Sequence, residues 1–175
     1  TTALLAAGAQ AGAYSEVESN NTLDTANDLG IFSDPGGSVL VSGVLDTNDV
    51  DWFSFTLADT ATLSVFAAFS TAGGADGVMQ IVASGGDVIA FDDDSGLGLM
   101  PALQLESLSA GTYYIGFSGF GDVDSTSVTT DELADGLGHQ QNFGYKLNIG
   151  FSVVPAPSAM ALLGMGGLVA TRRRR

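Results

Sequence analysis

The stretch Gly43-Val-Leu-Asp-Thr-Asn-Asp-Val-Asp-Trp-Phe-Ser-Phe55 is an acidic turn that leads directly into an aromatic segment. Across residues 51–57, side chains alternate so that Phe53 and Phe55 fall on one side and Trp52 on the other. A period of two residues is typical of a β-strand with one face in the core. We therefore predict a half-buried strand here, preceded by a turn that carries the charge.

The acids of this turn have no basic residue near them in sequence. Asp46, Asp49 and Asp51 lie close together, and the chain has 20 acidic residues against five basic ones, for a net charge of −15. The first basic residue is Lys146. Internal salt bridges cannot neutralise such a body, so its carboxylates need bulk water or a bound cation. The same charge argues against a nucleic-acid ligand.

Short apolar segments separated by Gly-rich turns follow one another along the chain, as in an all-β protein. The pattern predicts a β-sandwich or jelly roll of about eight short antiparallel strands. There is no cysteine, so disulfides do not hold the fold. The predicted strands are residues 38–45, 51–57, 62–69, 78–83, 87–91, 102–108, 112–118 and 143–153.

The segment Glu16-Val-Glu-Ser-Asn-Asn-Thr22 is a second oxygen-rich stretch. In an extended chain Glu16, Glu18 and Asn20 point the same way, so they can converge on one hard cation. The alternative is a solvated acidic linker. Residues 24–30 could form one helical turn that Gly30 ends.

Two further acidic loops interrupt the strand pattern. Residues 92–96 include three consecutive Asp residues, and we favour a solvated turn there over a second cation site. Residues 120–141 form a long loop that contains the one histidine, His139. Loops of this length in compact domains are usually functional or disordered. We predict that His139 is an exposed loop residue rather than a metal ligand.

The two ends have the composition of targeting segments. Residues 1–13 are apolar with small residues and contain possible cleavage sites at Ala11 and Ala13, so we interpret them as a truncated signal-peptide remnant. A short buried helix is the alternative. Residues 154–175 include a short apolar run predicted to be helical, which spans only about 21 Å as a helix, shorter than a bilayer core. The body between them, residues 14–153, is the predicted sandwich.

The C-terminal segment resembles the PEP-CTERM sorting signal, which the membrane protease exosortase recognises. The resemblance lies in a Pro-x-Pro motif, a short apolar helix and a terminal arginine cluster, and Ala156 replaces the usual glutamate of the motif. An ordinary membrane anchor is the alternative; in either case the arginines predict a cytoplasmic C-terminus and an exported body. The sorting residues are Pro155, Pro157, Arg172, Arg173, Arg174 and Arg175.

Three blocks of the body, in order, resemble the bacterial pre-peptidase C-terminal domain, a β-sandwich attached to secreted peptidases. They are residues 16–22 with 26–27, residues 43–55, and residues 91–95 with 110–117. Ser19 stands where that family commonly has Pro. The resemblance implies one or two Ca²⁺ ions bound by oxygen ligands. Carried over by motif position, these ligands are Glu16, Glu18, Asn20, Asn21, Asp49 and Asp51.

These features favour an exported, non-catalytic, calcium-binding protein with an adhesive or binding role at the cell surface or in the polysaccharide matrix. A carbohydrate-binding module for exopolysaccharide is a special case, although we favour packing over sugar stacking for Trp52, Tyr14, Tyr113 and Tyr114. A carboxylate-dependent glycoside hydrolase is the other alternative. The sequence contains no nucleophile elbow and no metalloprotease motif, so we predict that the protein is not an enzyme.

Overall fold

The computed structural model describes residues 10–33, 35–69, 74–122 and 132–154. Within these ranges the chain forms ten β-strands and one short 3-10 helix, Leu23–Thr25. The strands are β1 Gln10–Ser15, β2 Asn27–Phe32, β3 Gly36–Leu45, β4 Val50–Leu57, β5 Ala61–Phe69, β6 Gly77–Ala83, β7 Val88–Asp92, β8 Ala102–Leu108, β9 Gly111–Gly119 and β10 Phe143–Val153.

The strands form two five-stranded sheets. Sheet A has the order β1-β3-β10-β5-β8, and sheet B has the order β2-β4-β9-β6-β7. The all-β class and the eight predicted strands are confirmed, with small shifts at their ends. The strand count and the purely antiparallel arrangement were wrong, because β1 and β2 were missed and each pairs in parallel, β1 with β3 and β2 with β4.

The local sequences of both missed strands lack a clear strand pattern. Strand β1 begins at Gln10, inside the apolar segment that resembles a signal peptide, and it becomes a strand because β3 offers it a free edge. In β2 the period of two is broken at Gly30, which has a φ of 86°. The helical turn predicted for residues 24–30 is wrong beyond Thr25, because the chain is extended from Asn27 onward.

The core lies between the two sheets and is rich in aromatic rings. Phe32 stacks on Phe55 with ring centroids 5.0 Å apart, and on Phe151 at 4.4 Å. Phe32 and Phe55 belong to sheet B and Phe151 to sheet A, so these contacts join the two layers. The alternation of residues 51–57 thus places Phe53 and Phe55 in the core, as predicted.

The other face of β4 is also buried, which corrects the half-buried prediction. Trp52 is only 1% exposed and packs in a second apolar cluster with Val82 and Ala134. Its indole lies over Gly116 of the neighbouring β9, where a Cβ would come within 2.6 Å of the ring. The predicted packing role is confirmed for Trp52 and for the buried Tyr113.

The predicted C-terminal helix and the sorting residues Pro155, Pro157 and Arg172 to Arg175 lie outside the described residues. Within the described ranges, no helix is long and apolar enough to cross a membrane.

Candidate metal centre

The segment that carries Glu16 and Asn20 connects the two sheets at one end of the sandwich. At its start, Glu16 N donates to Ser42 O of β3 at 3.0 Å. Further along, Asn20 O accepts from Trp52 N of β4, also at 3.0 Å. One contact is to sheet A and the other to sheet B, so the backbone of this segment is held at both ends.

Three carboxylates converge beside this segment. One oxygen from each of Glu16, Glu18 and Asp51 lies within 4.8 Å of the others, and Asp51 is fully buried. Glu16 is half-buried and Glu18 is exposed. Acids packed this closely repel one another in a medium of low dielectric constant, so the arrangement needs a proton or a cation between them.

The buried amide of Asn20 faces the same point. One terminal atom of this amide lies 3.2 Å from Glu18 Oε2 and 3.1 Å from Asp51 Oδ1. A nitrogen at this position donates to both carboxylates, whereas an oxygen there would add a fourth ligand atom, beside the three carboxylates, for a cation. The amide can therefore stabilise the cluster in either orientation.

Tyr145 joins this cluster from the core. Its hydroxyl oxygen lies 2.8 Å from Glu16 Oε2 and 2.7 Å from Asp51 Oδ2. A hydroxyl has one proton to donate, so both short contacts are satisfied when one carboxyl is protonated. Glu16 is also held by Val44 N, which donates to Oε1 at 3.0 Å.

The pKa values of these groups follow from burial and mutual repulsion. Burial first, and then the Glu16 charge, raise the pKa of Asp51 to about 9, against the lowering effect of the Tyr145 hydrogen bond. Burial and the neighbouring charges of Asp49 and Glu16 also raise the pKa of Glu18. Burial, followed by Asp51 and Glu16, raises the pKa of Tyr145 well above its ordinary value. Without a cation, Asp51 is protonated at neutral pH.

The remaining two residues of the six-ligand prediction lie beside the cluster and bind each other. Asn21 Nδ2 donates to Asp49 Oδ1 at 2.7 Å, and Asp49 Oδ2 accepts from Asp46 N at 3.3 Å. Asp49 therefore shapes the turn. Asn21 Oδ1 is buried without a hydrogen-bond partner in the described residues, so it still has a lone pair to offer.

His139 corrects the prediction of an exposed loop residue, because it is 1% exposed. Its Nε2 lies 2.7 Å from Asp49 O, while its Nδ1 accepts from Gln141 N at 3.2 Å. Asp49 N also lies 3.1 Å from Nε2, so both backbone polar groups of Asp49 contact this ring nitrogen. Both ring nitrogens of His139 thus contact backbone groups, and the histidine holds the acidic turn in place.

A buried polar network anchors the rest of the loop after residue 131. Asp122 Oδ2 accepts from Ser118 Oγ at 2.6 Å and from Gly136 N at 2.9 Å. A Cβ on Gly136 would lie 2.6 Å from the backbone carbon of Asp49, so the loop packs directly on the turn. Residues 132–141 of the long loop therefore have a structural role.

The triple-Asp loop is a turn organised by its first acid. Asp92 Oδ2 accepts from Ser95 N at 3.1 Å and from Ala102 N at 2.8 Å.

The other two acids of this loop act on a neighbouring carboxyl. Burial, followed by the charges of Asp93 and Asp94, raises the pKa of the nearby Asp76. Within the described ranges, the one group of three or more acidic or histidine ligands is Glu16, Glu18 and Asp51.

Sequence reasoning missed Tyr145, Val44 and His139 as neighbours of the site. Tyr145 follows Asp51 by 94 positions, and His139 follows Asp49 by 90. Tyr145 looked like an ordinary strand residue, and no local pattern links it to an acidic turn. The Val44 contribution is a backbone N–H, which no side-chain pattern reveals.

Comparison with known families supports the resemblance over part of the chain. Residues 49–119 match the model of the bacterial pre-peptidase C-terminal domain. This region runs from the acidic turn to the end of β9, so it contains Asp49 and Asp51 but not the segment of residues 16–21. A search of curated proteins found no significant match.

Solved structures with related architecture were also found. The pre-peptidase C-terminal domain of a Bacillus anthracis collagenase is 13% identical, with a TM-score of 0.48, over 71% of this chain and 93% of that one. PliG of Aeromonas hydrophila, a periplasmic inhibitor of g-type lysozyme, is 14% identical with a TM-score of 0.45, over 71% and 99%. PliG of Salmonella Typhimurium is 16% identical with a TM-score of 0.40, over 73% and 99%.

Proposed function

We propose that this chain is an exported, non-catalytic β-sandwich that binds Ca²⁺ and serves an adhesive or binding role at the cell surface or in the surrounding polysaccharide matrix. The observation that carries the calcium proposal is the convergence of Glu16, Glu18, Asn20 and the fully buried Asp51 at the junction of both sheets. The match to a pre-peptidase C-terminal domain over residues 49–119 supports a binding module rather than a catalytic domain.

The donor set suits calcium better than other biological cations. Carboxylate and amide oxygens are hard ligands. Copper and zinc bind nitrogen and sulfur ligands more readily, so a site made only of oxygens favours calcium over them. Glu18 is exposed, so water can complete a shell of six to eight ligands. Asn21 Oδ1 and the Asp49 carboxylate lie beside the cluster. They can complete the shell of the first ion or bind a second ion. Magnesium requires a stricter octahedron and fits such a mixed site less well.

A cation here would fasten the N-terminal segment to the sandwich. Glu16 and Glu18 belong to that segment, whereas Asp51 belongs to β4. Calcium would replace the proton on Asp51 and cancel the repulsion among the three carboxylates. We therefore assign the ion a structural role.

The geometry argues against the glycoside hydrolase alternative. A glycosidase needs two carboxyl groups that can both reach the scissile bond. Asp51 is 0% exposed, and Tyr145 and Asn20 cover its two oxygens at 2.7 and 3.1 Å. The buried acid of this cluster therefore cannot contact a polysaccharide.

Export and sorting complete the proposal. We assign residues 1–13 to a signal-peptide remnant, residues 14–153 to the sandwich and residues 154–175 to a sorting or anchor segment that an exosortase-type membrane protease would process. Residues 10–13 pair with β3 as the first part of β1, so the remnant and the sandwich overlap there. This assignment rests on the apolar N-terminal composition and on Pro155, Pro157 and Arg172 to Arg175.

The decisive experiment is thermal denaturation of the chain during a calcium titration. A cation present at 100 times its dissociation constant stabilises the folded state by about 2.7 kcal/mol, so the Tm should rise clearly in millimolar calcium. Magnesium should raise it less. Sodium chloride of equal ionic strength is the control for general screening of the acidic surface.

Asp51→Asn is the most informative variant. The amide has the shape of the protonated carboxyl, so the metal-free fold should persist while the calcium shift is largely lost. Asp59→Asn, an exposed acid in the turn between β4 and β5, is the matched control and should keep the full shift. A calcium shift that survives in Asp51→Asn would overturn the proposed site.

A further inference from the structure

The two sheets differ in what covers their outer faces. On sheet B, Trp52 and Val82 point outward but are buried, because Ala134 and its loop neighbours pack over them. On sheet A, the outward residues Leu40 and Phe66 are 39% and 51% exposed. Among the described residues, therefore, one face of the sandwich has an apolar cover and the other is open.

Strand register shows how the open face is arranged. Leu40 of β3 lies opposite Asn148 of β10, which lies opposite Phe66 of β5. Strands are about 4.8 Å apart, so Leu40 and Phe66, two strands apart, are separated by about 10 Å across the sheet. Asn148 lies between them. The neighbouring rows of this face consist of small or polar residues, namely Ser38, Gly150 and Ser64 in one and Ser42, Lys146 and Ala68 in the other.

This face carries little of the negative charge found elsewhere on the protein. Strands β1, β3, β10 and β5 contain no Asp or Glu, although the chain has 20 acids. Glu106 on the edge strand β8 is the one acid in sheet A. Lys146, the one basic residue within the described ranges, is exposed at the centre of the face. Glu106 and Lys146 balance, so the strands of sheet A carry no net charge on a protein with a net charge of −15.

We propose that the outer face of sheet A, centred on Leu40, Asn148 and Phe66, binds a neutral polysaccharide. This inference deepens the proposed function and rests on it for the binding role, but it does not depend on calcium. It also moves the binding surface away from Trp52 and Tyr113, which are buried.

The chemistry of the face matches a sugar chain in three respects. Serine hydroxyls and the Asn148 amide both donate and accept hydrogen bonds, as sugar hydroxyls do. The half-exposed ring of Phe66 offers an apolar platform for the C–H face of a sugar ring. An uncovered sheet of five strands suits an extended chain that passes over several strands. The strongly acidic body repels anionic polysaccharides at long range, which selects a neutral chain.

The test uses affinity electrophoresis and calorimetry of the full 175-residue chain with dextran, a β-1,3-glucan and glucomannan as neutral probes. Alginate serves as the anionic probe. At least one neutral probe should retard the protein, and alginate should not. Phe66→Ala should weaken that binding by about tenfold or more through loss of the ring contact. Asn148→Asp, which adds a carboxylate with little change of shape, should weaken it as well.

Phe120→Ala is the matched control, because Phe120 is also about half exposed but follows β9 at the end of sheet B. It should leave binding unchanged. The proposal is overturned if none of the three neutral probes binds, or if Phe66→Ala and Phe120→Ala bind equally well. It is also overturned if sedimentation shows that Phe66→Ala converts a dimer into a monomer without polysaccharide binding, since the face is then an interface between copies.

The calcium-dependent Tm, measured on the same samples, separates this inference from the calcium site. Phe66→Ala should keep the full calcium shift, and Asp51→Asn should keep polysaccharide binding. If binding depends on Phe66 while no variant shows a calcium shift, the polysaccharide face stands and the metal site fails.

Discussion

The Tyr145 hydroxyl oxygen lies 2.7 Å from Asp51 Oδ2 and thereby joins the two sheets at the acidic site. Tyr145 belongs to β10 of sheet A, and Asp51 to β4 of sheet B. Both side chains are completely buried. The protonation state of the carboxylate cluster is therefore connected directly to the packing of one sheet on the other.

Tyr145→Phe tests this connection. Removal of the hydroxyl leaves Asp51 and Glu16 without a shared partner, and loss of a hydrogen bond to a buried polar group costs about 1–3 kcal/mol. The free energy of unfolding in urea, measured with a chelator, should fall by that amount. Tyr114→Phe, on the half-buried face of β9, is the control and should change it little. Equal effects of both substitutions would contradict the role given to the Tyr145 hydroxyl.

Gly43→Ala should disrupt the site through steric overlap. A Cβ at residue 43 would overlap the Glu16 carboxylate and the Tyr145 ring, so one of them must move. We expect a loss of stability of about 1–3 kcal/mol, as for overpacked sites, together with loss of most of the calcium shift. In contrast, Gly150→Ala on β10 meets only a backbone oxygen at 4.0 Å and should be tolerated. Thermal denaturation of both variants with and without calcium would decide the matter.

Stability should depend on pH through Asp51. Its pKa of about 9 in the folded protein lies above the ordinary value of 3.8, so the folded state holds a proton that the unfolded state has lost. The stabilisation is thus complete below pH 4 and is lost as the pH rises towards 9. In a chelator, the free energy of unfolding should fall between pH 5 and 9, a window above the titration of ordinary surface carboxyls. Asp51→Asn should flatten this slope; an unchanged slope would show that another group causes it.

Calcium binding should show the opposite dependence on pH. The ion requires an ionised Asp51, so it displaces a proton whenever the pH is below about 9. Its apparent affinity should therefore rise between pH 6 and 8, by up to about tenfold for each pH unit if one proton is released. Calorimetry in buffers with different ionisation enthalpies measures the number of protons directly. Release of no protons at pH 7 would mean that Asp51 is already ionised or does not bind the metal.

Processing at the C-terminus is tested on the native protein. We expect the mature form to lack Arg172 to Arg175, with cleavage near Pro155 and Pro157. Mass spectrometry of intact protein from its own source measures this directly. A mature chain that retains the four arginines would leave an ordinary anchor as the explanation of the segment.

Several features of the fold could be predicted from the sequence because they depend on short-range patterns. Alternation across residues 51–57 predicts a strand, and Gly-rich turns mark where strands end. Each of the eight strands found in this way has at least one antiparallel neighbour. Spacing alone also grouped Glu16, Glu18 and Asn20, since alternate residues of an extended segment face the same way.

Other features depend on which segments meet in space. Strands β1 and β2 exist because β3 and β4 offer them edges, and their own sequences contain little strand signal. Burial of Trp52 needs the loop at Ala134 to cover sheet B, and His139 is buried because that loop folds back on Asp49. The acidic and polar composition of this loop predicted that its side chains are exposed.

The sequence by itself determined the sandwich class and the two clusters of oxygen-bearing side chains in residues 16–21 and 46–51, because local periodicity and charge depend on neighbouring residues. Only the tertiary structure decided which acid is buried, with Tyr145 placed against Asp51 and Glu16 from 94 and 129 positions away. It also decided that, among the described residues, the outer face of sheet A is exposed while that of sheet B is covered. The physical reason is that desolvation and cross-strand register depend on segments distant in sequence, which no local pattern specifies.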